Sequence, residues 1–140
     1  MMSSLPYTLP EPCDPAPITE ADFLVAAQAL ECEVACVKAV TKIEAQGSGF
    51  LPSQRPKILF EASIFSAKTN HQYDVTHPNI SSRHWNRSLY IGGEAEYNRL
   101  AHAIALNSEA ALISTSWGLF QIMGFDHVKA GFDSVELFVQ

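Results

Sequence analysis

The sequence predicts a mainly α domain with a small irregular or β element around residues 50–91. Apolar residues recur at helical spacing in three separate stretches, Thr19 to Leu30, Glu33 to Ala45 and Gly93 to Asn107. Between Phe50 and Ile91 that period breaks, and the run NHQYDVTHPNISS is rich in turn formers. Of 140 residues 47% are hydrophobic, enough to build the core of one domain and too many for a disordered chain.

Residues 1–17 carry Pro6, Pro10, Pro12, Pro15 and Pro17 and read as a disordered, extended arm, which leaves 18–140 as the domain. Thr19 is placed to cap a first helix, with Asp22 at the capping-box position. Phe23, Ala26, Ala27 and Leu30 then share a core face. The second helix, Glu33 to Ala45, puts Val34, Val37, Thr41 and Glu44 on one face and Cys36, Val40 and Ile43 on the next. An apolar arc that wide predicts a central helix. Gly47 and Gly49 stop it.

Ile58-Leu59-Phe60 after Pro56 suits a strand, and residues 62–68 suit a short helix. From Gly93 helical spacing returns with Tyr97, Leu100, Ala101 and Ile104. Ser108 caps a further short helix leading into STSWGLFQIMG, residues 114–124. Asp133 with Glu136 marks a last helix of under two turns bearing Val135, Phe138 and Val139. It either packs on the body as a tail or is a domain cut in mid-helix. There are no internal repeats.

The net charge of −6 is unevenly spread. Residues 1–37 hold six acids and no Lys or Arg, residues 38–87 seven bases against three acids, and residues 88–140 two bases against six acids. The basic middle suits an anionic ligand, and the overall acidity opposes a dedicated nucleic-acid binder. ALECEVACVKAV (29–40) has the spacing of a helix-turn-helix, but acids at its turn oppose phosphate contact.

No apolar run approaches the ~18 residues of a membrane span. The amino terminus lacks the pattern of a secretory signal, which predicts synthesis in the cytoplasm. Cys13, Cys32 and Cys36 cannot close a disulfide set and read as reduced, partly buried thiols. No His pair stands at zinc-ligand spacing, so no metal or other cofactor is expected. Serine-hydrolase, phosphate-loop and zincin motifs are missing.

Two features suggest chemistry. In STSWGLFQIMG, Gly118 and Gln121 interrupt an apolar run at a cost to any core helix, about 1 kcal/mol for the glycine alone. Glu44 is the one acid on the apolar faces of the second helix, near its negative end. Burial there would keep the carboxyl protonated, as a general acid needs. Glu44 also suits a fraying helix end, exposed or paired with Lys42. Glu61 and Asp74 are second-carboxylate candidates, with a salt bridge to Arg55 or Lys57 and a turn cap as their alternatives.

KIEAQGSGF (Lys42–Phe50), RPKILFE (Arg55–Glu61) and SWGLFQIMGF (Ser116–Phe125) together resemble the N-acetylmuramidase domain of phage endolysins, within the lysozyme and soluble lytic transglycosylase superfamily. The resemblance covers roughly residues 18–140 and implies a lysozyme-like fold that cleaves the β-1,4 bond between N-acetylmuramic acid and N-acetylglucosamine. It implies that Glu44 is the general acid, and that a later helix bearing Ser116, Trp117, Gly118 and Gln121 lines the sugar groove. Gly118 would admit the glycan and Gln121 would bind or orient it. At least two of Trp117, Leu119, Phe120 and Ile122 would be core.

Many superfamily members follow the catalytic Glu with Ser, where this chain has Ala45, and family domains continue past Gln140, so the domain reads as incomplete at its carboxyl end. The partner implied is bacterial peptidoglycan, reached after release from the cell, by a monomer. The alternatives are a lytic transglycosylase outcome and a catalytically inactive peptidoglycan-binding domain.

Overall fold

The computed structural model describes residues 9–45 and 47–140. Of the arm, Leu9 packs against the core, and the Cys13 N–H donates to the Gln54 carbonyl at 3.2 Å. Met1 to Thr8 lie outside the described residues. Helix α1 (Glu20–Ala29) starts as the sequence predicts, with the Thr19 and Asp22 side chains each accepting from the other's backbone N–H. A tight turn through Glu31, at φ +52°, leads into α2 (Val34–Glu44).

The two helices pack on each other as a hairpin, and Ala27 is their one buried side chain. The central position expected for α2 is therefore not observed. Val40 and Ile43 are exposed, as are Leu30, Cys32 and Cys36 along the hairpin and Cys13 in the arm. Apolar periodicity records that a face is apolar and not what lies against it.

The core forms instead around β1 (Ile58–Phe60), α3 (Ala62–Lys68), α4 (Ala95–Leu106) and α5 (Ser108–Ile113). Phe60, Phe65, Leu100, Ala103, Ala111 and Leu112 are fully buried. The last helix, α6 (Val135–Val139), seats Val135 and Val139 against this core. Two caps fall one residue from their expected places. Asn107, not Ser108, accepts from the Ala110 N–H, and Ser134, not Asp133, accepts from the Leu137 N–H.

Residues 114–124 do not form the helix that the resemblance implied. β2 (Thr115–Trp117) and β3 (Ile122–Met123) make a hairpin, and β1 pairs antiparallel with β2 in the order β1-β2-β3. Gly118 at φ +73° and Gln121 at φ +50° bracket its four-residue turn. Glycine takes that left-handed conformation at little steric cost, which answers why it interrupts the run. The β element thus draws one strand from the 50–91 region and two from beyond it.

Below the sheet lies a buried ion pair. Glu96, fully buried, accepts from Arg99 Nη1 at 2.9 Å and from the N–H groups of Phe60, Ile91 and Gly92. Arg99 also donates to the Phe60 and Asn79 carbonyls, so a charged pair is tolerated where three backbone N–H groups and a guanidinium together satisfy the carboxylate. No helix among the described residues is long and apolar enough to cross a membrane.

Candidate active site

Side chains alternate across a sheet, so the register assigns its two faces. Ile58, Phe60, Thr115 and Trp117 point into the core. Leu59, Ser116 and Met123 stand together on the other face, with Leu59 and Met123 half-buried. Glu61 continues β1 in extended backbone and joins that face, two residues beyond the partner of Ser116, or roughly 7 Å of strand.

Gln121 ties the hairpin turn to this face. Its side-chain amide donates to the Gly118 carbonyl at 2.8 Å and the Lys57 carbonyl at 3.1 Å, while its oxygen accepts from the Ser116 hydroxyl at 2.9 Å. Those bonds offset the strain of a non-glycine residue at positive φ. Ser116, Gly118 and Gln121 thus form one bonded unit. Trp117 faces the other way, buried, its indole N–H donating to the Leu112 carbonyl at 3.4 Å. Phe120 and Ile122 are exposed.

Glu44 ends α2 and is exposed, without a hydrogen bond or ion pair among the described residues. The burial expected around it is not supplied by them. Its link to the sheet runs through the loop that follows. Gly49 lies against Leu119 at the hairpin turn, and the Gly49 carbonyl accepts from the Lys57 N–H at 2.7 Å. Phe120, from the same turn, closes an apolar groove along α1 and α2. The α2 terminus and the hairpin are therefore neighbours, whereas Glu61 lies toward the other end of β1.

Glu61 is half-buried and accepts a hydrogen bond from the Tyr90 hydroxyl. Burial, then the hydrogen bond to Glu61 and its charge, push the Tyr90 phenol up to about 12, against opposing contributions from Trp85 and Arg99. Neither Arg55 nor Lys57 pairs with Glu61. Asp74 serves the fold instead. It accepts from the hydroxyls of Ser81 and Ser66 at 2.6 and 2.7 Å, which hold its carboxyl below the usual range, with His71 and Arg83 adding to that.

Tyr90 escaped the sequence reading because it stands in a turn-rich stretch with no period. The only local signal was its position ahead of Gly92-Gly93, where a backbone reversal is expected.

A family model described as N-acetylmuramidase matches residues 33–140. No curated protein matches. Among solved structures, the Burkholderia AP3 phage endolysin is 39% identical with a TM-score of 0.83, over 90% of this chain and 48% of that one. This chain thus spans about half the length of that endolysin, and the helices and sheet described above share its lysozyme-like fold. All three segments that carry the resemblance fall inside the matched span, which takes in well over half of the chain, and on that ground the protein belongs to the N-acetylmuramidase family.

Proposed function

We propose that the chain cleaves peptidoglycan at the β-1,4 bond between N-acetylmuramic acid and N-acetylglucosamine, along the sheet face that carries Ser116, Gln121 and Glu61. The observation that carries this reading is the seating of Gly49 on Leu119, which brings the loop after Glu44 to the hairpin turn at one end of that face. Family membership and the endolysin likeness support it.

Glu44 gives its proton to the glycosidic oxygen, and the leaving sugar departs as the alcohol. Water adds its hydroxyl to the anomeric carbon of the muramic sugar and returns a proton to the carboxylate. Glu61 is the carboxylate on the groove face that assists that water. Because Glu44 is exposed in the free chain, the seated glycan itself must exclude water from it. The carboxylate pair needs no metal or cofactor for this step. In this reading the protein reaches the wall after release from the cell where it is made.

Turbidity of chloroform-treated Gram-negative cells tests this, with the protein beside Glu44→Gln and Glu61→Gln. Lysis abolished in Glu44→Gln and strongly reduced in Glu61→Gln supports the assignment. Equal lysis by the Glu44→Gln variant refutes it. Product mass separates hydrolysis, which adds a water, from transglycosylation, which does not.

A second reading, peptidoglycan binding without turnover, is favoured by the exposure of Glu44 and of the α2 apolar residues. It requires binding to walls without release of sugar ends.

A further inference from the structure

We propose that Trp85 is a sugar-stacking platform that extends the groove beyond Glu61 and takes the flat C–H face of a β-1,4-linked N-acetylhexosamine ring. The inference deepens the glycan reading of the sheet face and rests on it.

A lone exposed aromatic on a surface needs no explanation. Trp85 is different in how it is held. Its indole is 65% exposed, yet the ring leans on Tyr90 with centroids 6.1 Å apart and planes at 42°. Tyr90 is fixed in turn, by its hydroxyl on Glu61 and by the Arg99 guanidinium 5.7 Å from its ring. The indole is therefore next in line after Tyr90 and the Glu61 carboxylate.

The backbone around the indole is also pinned. The Ser82 hydroxyl donates to the His84 carbonyl at 2.8 Å, and the Asn86 side chain accepts from the Ser88 N–H at 3.0 Å. Further on, the N–H groups of Ile91 and Gly92 are held by buried Glu96. An exposed aromatic face on so constrained a segment is already ordered for binding, and little conformational entropy is lost when a flat apolar face lands on it. Pyranose rings present such a face, with their polar groups directed outward at the rim. The platform stands on the far side of Tyr90 from the Glu61 carboxylate, which makes it a site for a sugar neighbouring the one being cleaved.

The test titrates tetra-N-acetylchitotetraose into the whole chain, following tryptophan emission and heat of binding. The chain has two tryptophans, so an emission change that is lost in Trp85→Phe, which leaves only Trp117, is assigned to Trp85. Saturable binding is expected. Trp85→Ala should weaken it by about tenfold or more, whereas Trp85→Phe, which keeps a flat aromatic face, should stay within about threefold. Thermal melts of the variants should match the parent, since the side chain is exposed.

Unchanged affinity in Trp85→Ala, an equal loss in Trp85→Phe, or no saturable binding by the parent would each overturn the proposal. Failure of the wider reading looks different. Glu44-dependent lysis that ignores Trp85 leaves the muramidase reading standing and this inference fallen. Trp85-dependent binding by a chain that lyses nothing does the reverse.

Discussion

Gly49 and Leu119 are in contact through their backbones: a β-carbon on residue 49 would lie 2.9 Å from both the Leu119 amide nitrogen and its β-carbon. Backbone cannot yield as a flexible side chain can, so Gly49→Ala must push the loop after α2 away from the hairpin turn. Overpacking of this kind costs about 1–3 kcal/mol. The expected outcome is a lower urea midpoint together with a larger fractional loss of wall lysis than the stability change explains. Full activity in Gly49→Ala would mean that this contact does not set the position of Glu44.

Gln121→Ala removes three side-chain hydrogen bonds, leaving the Ser116 hydroxyl only the Leu59 carbonyl at 3.4 Å and each of the two carbonyls a single backbone N–H. Each such bond is worth about 0.5–1.5 kcal/mol net, and these are only partly buried, so a loss of about 1–2 kcal/mol is expected in equilibrium unfolding. An unchanged midpoint would show that the turn stands without the side chain, leaving Gln121 free for substrate.

The sequence made some of this legible and hid the rest for physical reasons. Local chemistry read well: the Thr19 capping box, the Ile58–Phe60 strand and the helix at residues 62–68 stand where their residues predict. The second helix, expected over Glu33 to Ala45 and observed over Val34–Glu44, and the apolar spacing of Tyr97 and Leu100 were equally plain. What failed was long-range. Nothing within Glu33–Ala45 tells whether its apolar arc is covered. Nothing within Ser114–Gly124 tells that β1 waits 57 residues upstream, where Leu59 meets Ser116. The Tyr90–Glu61 contact likewise joins residues 29 apart. Helix and turn signals are local in the chain, whereas a groove is made by residues that pair across it.

The Glu96–Arg99 pair escaped notice for another reason, since at (i, i+3) on a helix it looks like a surface pair. Its burial makes it a junction between α4, β1 and the 91–92 turn. Glu96→Ala strands a buried guanidinium and three N–H groups, which predicts a loss of about 3–5 kcal/mol, enough to unfold a marginal domain. Glu96→Gln keeps one of the two acceptor oxygens and loses the other together with the charge, and should fall between the parent and Glu96→Ala in denaturant unfolding. Glu96→Ala melting with the parent would contradict this account.

Tyr90 sets the alkaline limit of the same region. Its phenol titrates at about 12 in the folded chain against 10.0 ordinarily, so between those values the folded state keeps a proton that the unfolded state gives up. The stabilisation is complete below pH 10 and is lost as pH rises through about 12. Stability should therefore fall across that window by more in the parent than in Tyr90→Phe, read from denaturant midpoints at a series of pH values. Phenolate absorbance should show a late-titrating tyrosine that Tyr90→Phe removes, and Glu61→Gln should bring it only part of the way back, because burial is the larger cause and survives the substitution. A return all the way to 10.0 in Glu61→Gln would make the carboxylate, not the burial, responsible. The Tyr90 proton would then be a direct reporter of the charge on Glu61.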